Sequence, residues 1–251
     1  MDLFDVWAWH RVDDGYAMGE TWRRTLGVTE CGFYWDTVLD GTAITINHLV
    51  LEAEPGFERS LFERENVETA WLRLKQRFPL LGSSTEENAD SDRVDFVLNT
   101  DNLRCLRPGE VNYLQHLQSP EDVELFSNEL RNGETPLDHR IIARVWVGPQ
   151  LDTPHIYHVW IPVAHYITDG MGDATVIREF CQELASFSKE AVFTGPPLEV
   201  RLRSLLPAEA LTPSAKLSLP KRRWRLAIAK VMQLNRRAKM SVGGFPACLS
   251  T

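Results

Sequence analysis

The residues best placed to do chemistry stand at the end of one apolar run. Tyr157-His158-Val159-Trp160-Ile161-Pro162-Val163-Ala164 leads straight into His165-Tyr166-Ile167-Thr168-Asp169-Gly170. A neutral imidazole is matched to accepting a proton near pH 7, which makes His165 a general-base candidate. Asp169, four residues on, offers a carboxylate that either orients the imidazole or holds the turn. A helical pattern follows from about Asp173 to Phe187. The spacing therefore predicts a strand that delivers His165 to its end and a turn that hands the chain to a helix.

Other chemistries find less support. His155, His158 and His165 invite a metal site, but 155 and 158 point to opposite faces of a strand, and 155 and 165 lie roughly 33 Å apart along it. No metal is expected. There is no G-x-S-x-G elbow, no phosphate-binding loop and no dinucleotide fingerprint. Cys31, Cys105, Cys181 and Cys248 are widely spread, without a C-x-x-C pair, and read as buried or idle thiols rather than disulfides or metal ligands.

The motif His165-x-x-x-Asp169-Gly170, after an apolar strand and before a helix, resembles the chloramphenicol acetyltransferase-like superfamily. That group includes coenzyme-A-dependent acyltransferases and peptide-synthetase condensation domains. Arg77-Phe78-Pro79-Leu80-Leu81, closing an earlier helix, is similar to a second segment of these enzymes, and the sequence looks most like uncharacterised fungal members. The resemblance covers residues 30–190. It implies an α+β fold, a mixed and mostly antiparallel sheet covered by helices. It also implies that His165 deprotonates a hydroxyl or amine acceptor, which attacks an acyl thioester. Acyl-CoA is then a co-substrate, with no cofactor permanently bound. By the same resemblance Asp169 turns away from the chemistry and pairs with an arginine, Arg140 or Arg144, while Gly170 supplies a turn that a Cβ would obstruct. Ala164 stands where condensation domains usually carry a second histidine, which favours the acyltransferase branch. The two-domain enzymes are much longer, and neither their D-F-G-W-G segment nor their coenzyme A groove is found in this sequence. The expected organisation is an acyltransferase-like N-terminal domain (1–190), a proline-rich extended connector (191–220), and a basic amphipathic helix with tail (221–251).

The elements that must position the site read as follows. Residues 1–36, rich in Trp, Phe and Tyr, suggest an irregular aromatic arm with a turn at Asp13-Asp14-Gly15. Residues 43–53 alternate as a strand containing a structural His48. Residues 64–78 repeat Val67, Ala70, Trp71, Leu74 and Phe78 at helical spacing, with Asn66 as cap. A polar loop spans 82–93, and Val94–Leu98 is a short strand; residues 99–118 show no clear pattern. Ser119-Pro120-Glu121-Asp122 opens a helix to about Arg131. Residues 140–147 form a strand, turn around Gly148–Pro154, and pair with the strand leading to His165.

Charge narrows the partners. The net charge is −8, from 27 Lys and Arg against 35 Asp and Glu. Eight basic residues and no acidic ones lie between Lys221 and Lys239, so the remainder stands at −16. Such a body does not fit nucleic acid. The start of the chain lacks a signal-peptide pattern and no run spans a bilayer, so a cytosolic location is expected. The expected function is acyl transfer to a small hydroxyl or amine acceptor, with a homo-oligomer or a second-domain partner supplying the other wall of the site. The alternatives are a noncatalytic half-enzyme acting as a binding module and, more weakly, a peripheral membrane protein using its 221–239 helix.

Overall fold

The computed structural model describes residues 7–13, 19–54, 56, 61–88, 93–115, 117–153, 155–186, 194–211 and 217–242. The fold is α+β, but with two four-stranded sheets rather than one. Its strands are β1 (His10–Val12), β2 (Thr21–Thr25), β3 (Ile44–Glu52), β4 (Ser84–Asn88), β5 (Arg93–Asn99), β6 (Val111–Tyr113), β7 (Val145–Pro149) and β8 (Ile156–Ala164). Its helices are α1 (Val28–Asp40), α2 (Arg64–Arg77), α3 (Pro120–Asn132), α4 (Gly170–Ala185), α5 (Leu198–Ser204), α6 (Ala208–Leu211) and α7 (Leu219–Val242). The first sheet runs β1-β2-β5-β4, antiparallel throughout. The second runs β3-β8-β7-β6, with only β6 and β7 parallel.

The run before His165 is the inner strand β8, buried from His158 to Ala164. Alternate side chains of a strand point to opposite faces. Val159, Ile161 and Val163 accordingly pack against Val67, Ala70, Trp71 and Leu74 of α2 and Val176, Phe180 and Leu184 of α4. Trp160 points the other way, into Val123 and Leu130 of α3. The β8 end joins the two sheets: Ala164 and Tyr166 share a cluster with Phe96 and Leu98 of β5 and Tyr34 of α1.

Several elements differ from the sequence reading, each for a physical reason. Residues 21–40 are not an irregular arm but β2 and α1. Arg24 points inward from β2, where its guanidinium makes two bonds to Glu30, at 2.7 and 2.9 Å, and lies over the rings of Phe96 and Trp9. A buried charge in a short strand hides the alternation, and a bidentate partner makes it tolerable. Asp14 and Gly15 of the predicted turn, and the 243–251 tail, lie outside the described residues. The polar loop expected at 82–93 follows a turn of 3-10 helix, Pro79–Gly82, and is largely β4, a polar edge strand. Gly148-Pro149 ends β7 rather than forming the turn, which falls at 151–153. Asn66 does not cap α2, whose N-cap is Glu63; its amide donates instead to the carbonyls of Leu61 and Leu184, tying α2 to α4. The connector carries two short helices, and Leu202 of α5 is buried in the core shared with the first sheet. Pro197 and Pro207 precede these helices; proline at a helix start breaks nothing, because its missing N–H has no partner there anyway.

Residues 99–118 are organised by a buried ion cluster. Lys75 Nζ of α2 donates to Glu110 Oε2 at 2.6 Å and to the Cys105 carbonyl at 2.8 Å. Arg107 donates to Glu110 Oε1 at 2.6 Å and also holds the carbonyls of Ser83 and Arg140. One carboxylate thus fixes the otherwise patternless segment against α2 and the chain approaching β7.

Candidate functional site

The ladder between β3 and β8 runs in register from Ile44 opposite Ala164 to Glu52 opposite Ile156. It continues one step further, since the His165 N–H donates to the Ala43 carbonyl at 2.9 Å. The chain then turns, closed by the Ile167 N–H on the Ala164 carbonyl at 3.1 Å. His165 therefore stands where the sheet ends. Its ring meets Phe33 of α1 edge-on, with centroids 4.5 Å apart. Nδ1 is buried and has no hydrogen-bond partner, while the ring as a whole is half-buried, so Nε2 is the nitrogen that faces outward. An imidazole held this way can take a proton at Nε2 when Nδ1 carries the other hydrogen.

Asp169 is exposed and does not orient His165. It caps α4, with Oδ1 accepting from the Gly172 N–H at 2.8 Å and its carbonyl accepting from the Asp173 N–H at 2.7 Å. The expected arginine pairing is not what the fold makes. Arg144 pairs with Asp138 at 2.9 Å, and Arg140 gives its N–H to the same Asp138 and its carbonyl to Arg107. The free N–H groups and positive end of a helix compete well for a carboxylate so placed.

The need for glycine sits two residues later than expected. A Cβ on Gly170 would meet nothing within 4 Å, and its φ is not in the left-handed region. A Cβ on Gly172 would fall 2.3 Å from Thr168 Oγ1 and 3.4 Å from Asp169 Oδ1. Gly170→Ala should therefore keep or slightly raise Tm, because alanine is the better helix former. Gly172→Ala should cost about 1–2 kcal/mol through crowding of the turn. Thermal unfolding of the two variants checks this, and equal effects would refute the assignment.

Phe33 and Asp173 were not visible as site neighbours in the sequence. Phe33 comes from α1, whose start carries a legible signal: Glu30 stands three residues after Gly27, and its carboxylate accepts from the Gly27 N–H at 2.7 Å. Asp173, in the first turn of α4, is buried with Oδ1 unpartnered.

The remaining histidines serve the sheet. His155 lies 3.8 Å from the Glu52 carboxylate. His48 stacks flat on Trp160, with centroids 4.6 Å apart. Its Nε2 is 2.9 Å from His158 Nδ1, and His158 Nε2 is 2.9 Å from Gln150 Oε1. The Gln150 amide nitrogen is committed to Asp152, so its oxygen accepts and the donors run from His48 to His158 to Gln150. Burial, followed by the influence of His158 and Arg131, pushes His48 down to about 4, and burial also lowers His158. A folded value below the unfolded one gives stability that is present above pH 6.5 and lost as pH falls through the folded value. Tm should thus drop between pH 6.5 and about 4. His48→Gln, which keeps a donor toward His158, should flatten that slope; parallel curves for parent and variant would refute the account. Cys105 and Cys181 are free thiols. Among the described residues no group of three or more His, Cys, Asp or Glu side chains is placed to hold a metal ion, and no helix is long and apolar enough to cross a membrane.

The architecture is that of the acyltransferase and condensation-domain fold. A trichothecene 15-O-acetyltransferase from Fusarium sporotrichioides superposes with a TM-score of 0.57 at 10% identity, over 80% of this chain and 42% of its own. A four-domain nonribosomal peptide synthetase gives 0.53 at 11% identity, over 79% of this chain and 14% of its own. The condensation domain of the monacolin K polyketide synthase gives 0.52 at 12% identity, over 75% and 39%. The chain thus spans less than half the length of the solved structures it matches. No family profile matches the sequence, and no curated protein matches it.

Proposed function

We propose that this chain contributes the base-bearing wall of an acyl-transfer site, with His165 as general base and acyl-CoA as donor. The observation that carries the reading is the placement of His165: it follows β8 directly, at the edge where the two sheets meet, with Nε2 outward, in a fold shared with acyltransferases. In the proposed step, Nε2 takes the proton from an acceptor hydroxyl or amine as its oxygen or nitrogen attacks the thioester carbonyl. The tetrahedral intermediate then collapses, the C–S bond breaks, and His165 returns its proton to the departing sulfur, so coenzyme A leaves as the free thiol and the imidazole is neutral again. Asp169 acts as a positioning residue by capping α4 and so fixing the turn.

Because the matched structures are more than twice as long as their matched portions, the reading includes a second wall from another copy or another polypeptide segment. The same coverage favours the competing reading of a noncatalytic binding module. Free-thiol release from acyl-CoA in the presence of alcohol and amine acceptors, measured together with mass in solution, separates the two. Turnover from an oligomer supports the enzyme reading. A monomer with no affinity for coenzyme A sinks it and leaves the binding module.

A further inference from the structure

Among the described residues, the basic helix α7 is the one long element whose apolar face the body leaves bare. At 100° per residue, Trp224, Ala227, Ile228, Val231 and Leu234 fall in one arc of about 120°, interrupted only by Asn235. Arg223 and Lys230 border that arc on one side and Lys221 on the other. Trp224 is 70% exposed, Ile228 43%, Val231 56% and Leu234 55%. The helix contains no acidic residue, whereas the rest of the chain is strongly acidic.

We propose that α7 is an interfacial helix that docks this chain on an anionic phospholipid surface. The stripe sits in the headgroup region with Trp224 at the boundary, and the flanking lysines and arginines meet the phosphates. This pattern, a tryptophan-bearing apolar arc with long basic side chains on both borders, is the one that lies in a bilayer surface, since those side chains reach back to the charged layer while their stems cover apolar area. The helix is not apolar enough to cross a bilayer, so it lies along the surface. A protein groove covering the same stripe would need acidic rims on both sides, and a second copy of the acidic body is the rival occupant.

Co-sedimentation of the full chain with phosphatidylcholine vesicles, with and without phosphatidylserine, tests this at physiological salt. The chain should bind only the phosphatidylserine-containing vesicles. Lys221→Gln, Arg223→Gln and Lys230→Gln together should weaken binding about 100-fold, near fivefold for each charge removed. Trp224→Glu with Ile228→Glu should abolish it, with circular dichroism confirming that the fold is kept. No binding by the parent, or parental binding by the Trp224/Ile228 variant, overturns the proposal. So does a solution dimer that the same variant dissociates, because the stripe then belongs to a second copy.

Discussion

Replacing His165 with alanine should lower thiol release from acyl-CoA by about 10²- to 10⁴-fold, the usual contribution of a positioned general base. Tm should hardly change. The ring is only half-buried, its contact with Phe33 is edge-on, and the substitution removes a buried nitrogen that has no partner. Activity and stability are therefore separable at this position. Turnover equal to the parent's would remove His165 from the mechanism even if the chain is active, and a matched fall in Tm would make it structural. Asp169 gives the complementary pattern. Asp169→Ala should cost about 1 kcal/mol through loss of the cap and depress turnover with it, while Asp169→Asn, which still accepts from the Gly172 N–H, should restore most of both.

Replacing Glu110 with alanine should destabilise the fold by about 3–5 kcal/mol, because it strands a buried ammonium and a guanidinium together. The Lys75 and Glu110 side chains are 0% exposed, so water cannot replace the lost carboxylate. Burial pushes the Lys75 ammonium down to about 8 against the pull of Glu110. Without that carboxylate it falls further. A folded value below the unfolded one means stability that is lost as pH falls through the folded value, so the variant keeps losing stability at pH values where the parent has levelled off. Its deficit should be larger at pH 6 than at pH 9, read from urea midpoints at the two pH values. A midpoint shift worth less than about 1 kcal/mol, the scale of a surface pair, would refute the buried-cluster account.

The parts of the fold that were legible in the sequence are those where side-chain pattern and burial agree. The run from Tyr157 to Ala164 reads as an inner strand because it is one, and the repeat from Val67 to Leu74 reads as a helix because those residues all face the sheet. What escaped detection was fixed by polar partners distant in sequence or by exposed edges. Thr21–Thr25 hides an inward Arg24 that only Glu30 and two aromatic rings make tolerable. Ser84–Asn88 is polar because it forms an edge strand. At the site, the position of His165 at a strand end was legible from spacing. The roles of its neighbours were not, since nothing in the spacing shows that a helix N-terminus captures Asp169, or that Gly172 rather than Gly170 is pressed against Thr168.

The pairing of β3 with β8 has a kinetic consequence. The Thr45 hydroxyl bonds the Val163 carbonyl across 118 residues of chain. Closing so long a loop costs entropy before any ladder bond offsets it, which places this pairing among the slow steps of folding. During synthesis β3 emerges early and waits, unpaired on its inner side, until β8 has followed. The turn bearing His165 emerges immediately behind the strand that ends the wait. Any chain released before β8 is complete leaves the nine-residue edge of β3 without its ladder partner, a recognisable mark for chaperones and proteases.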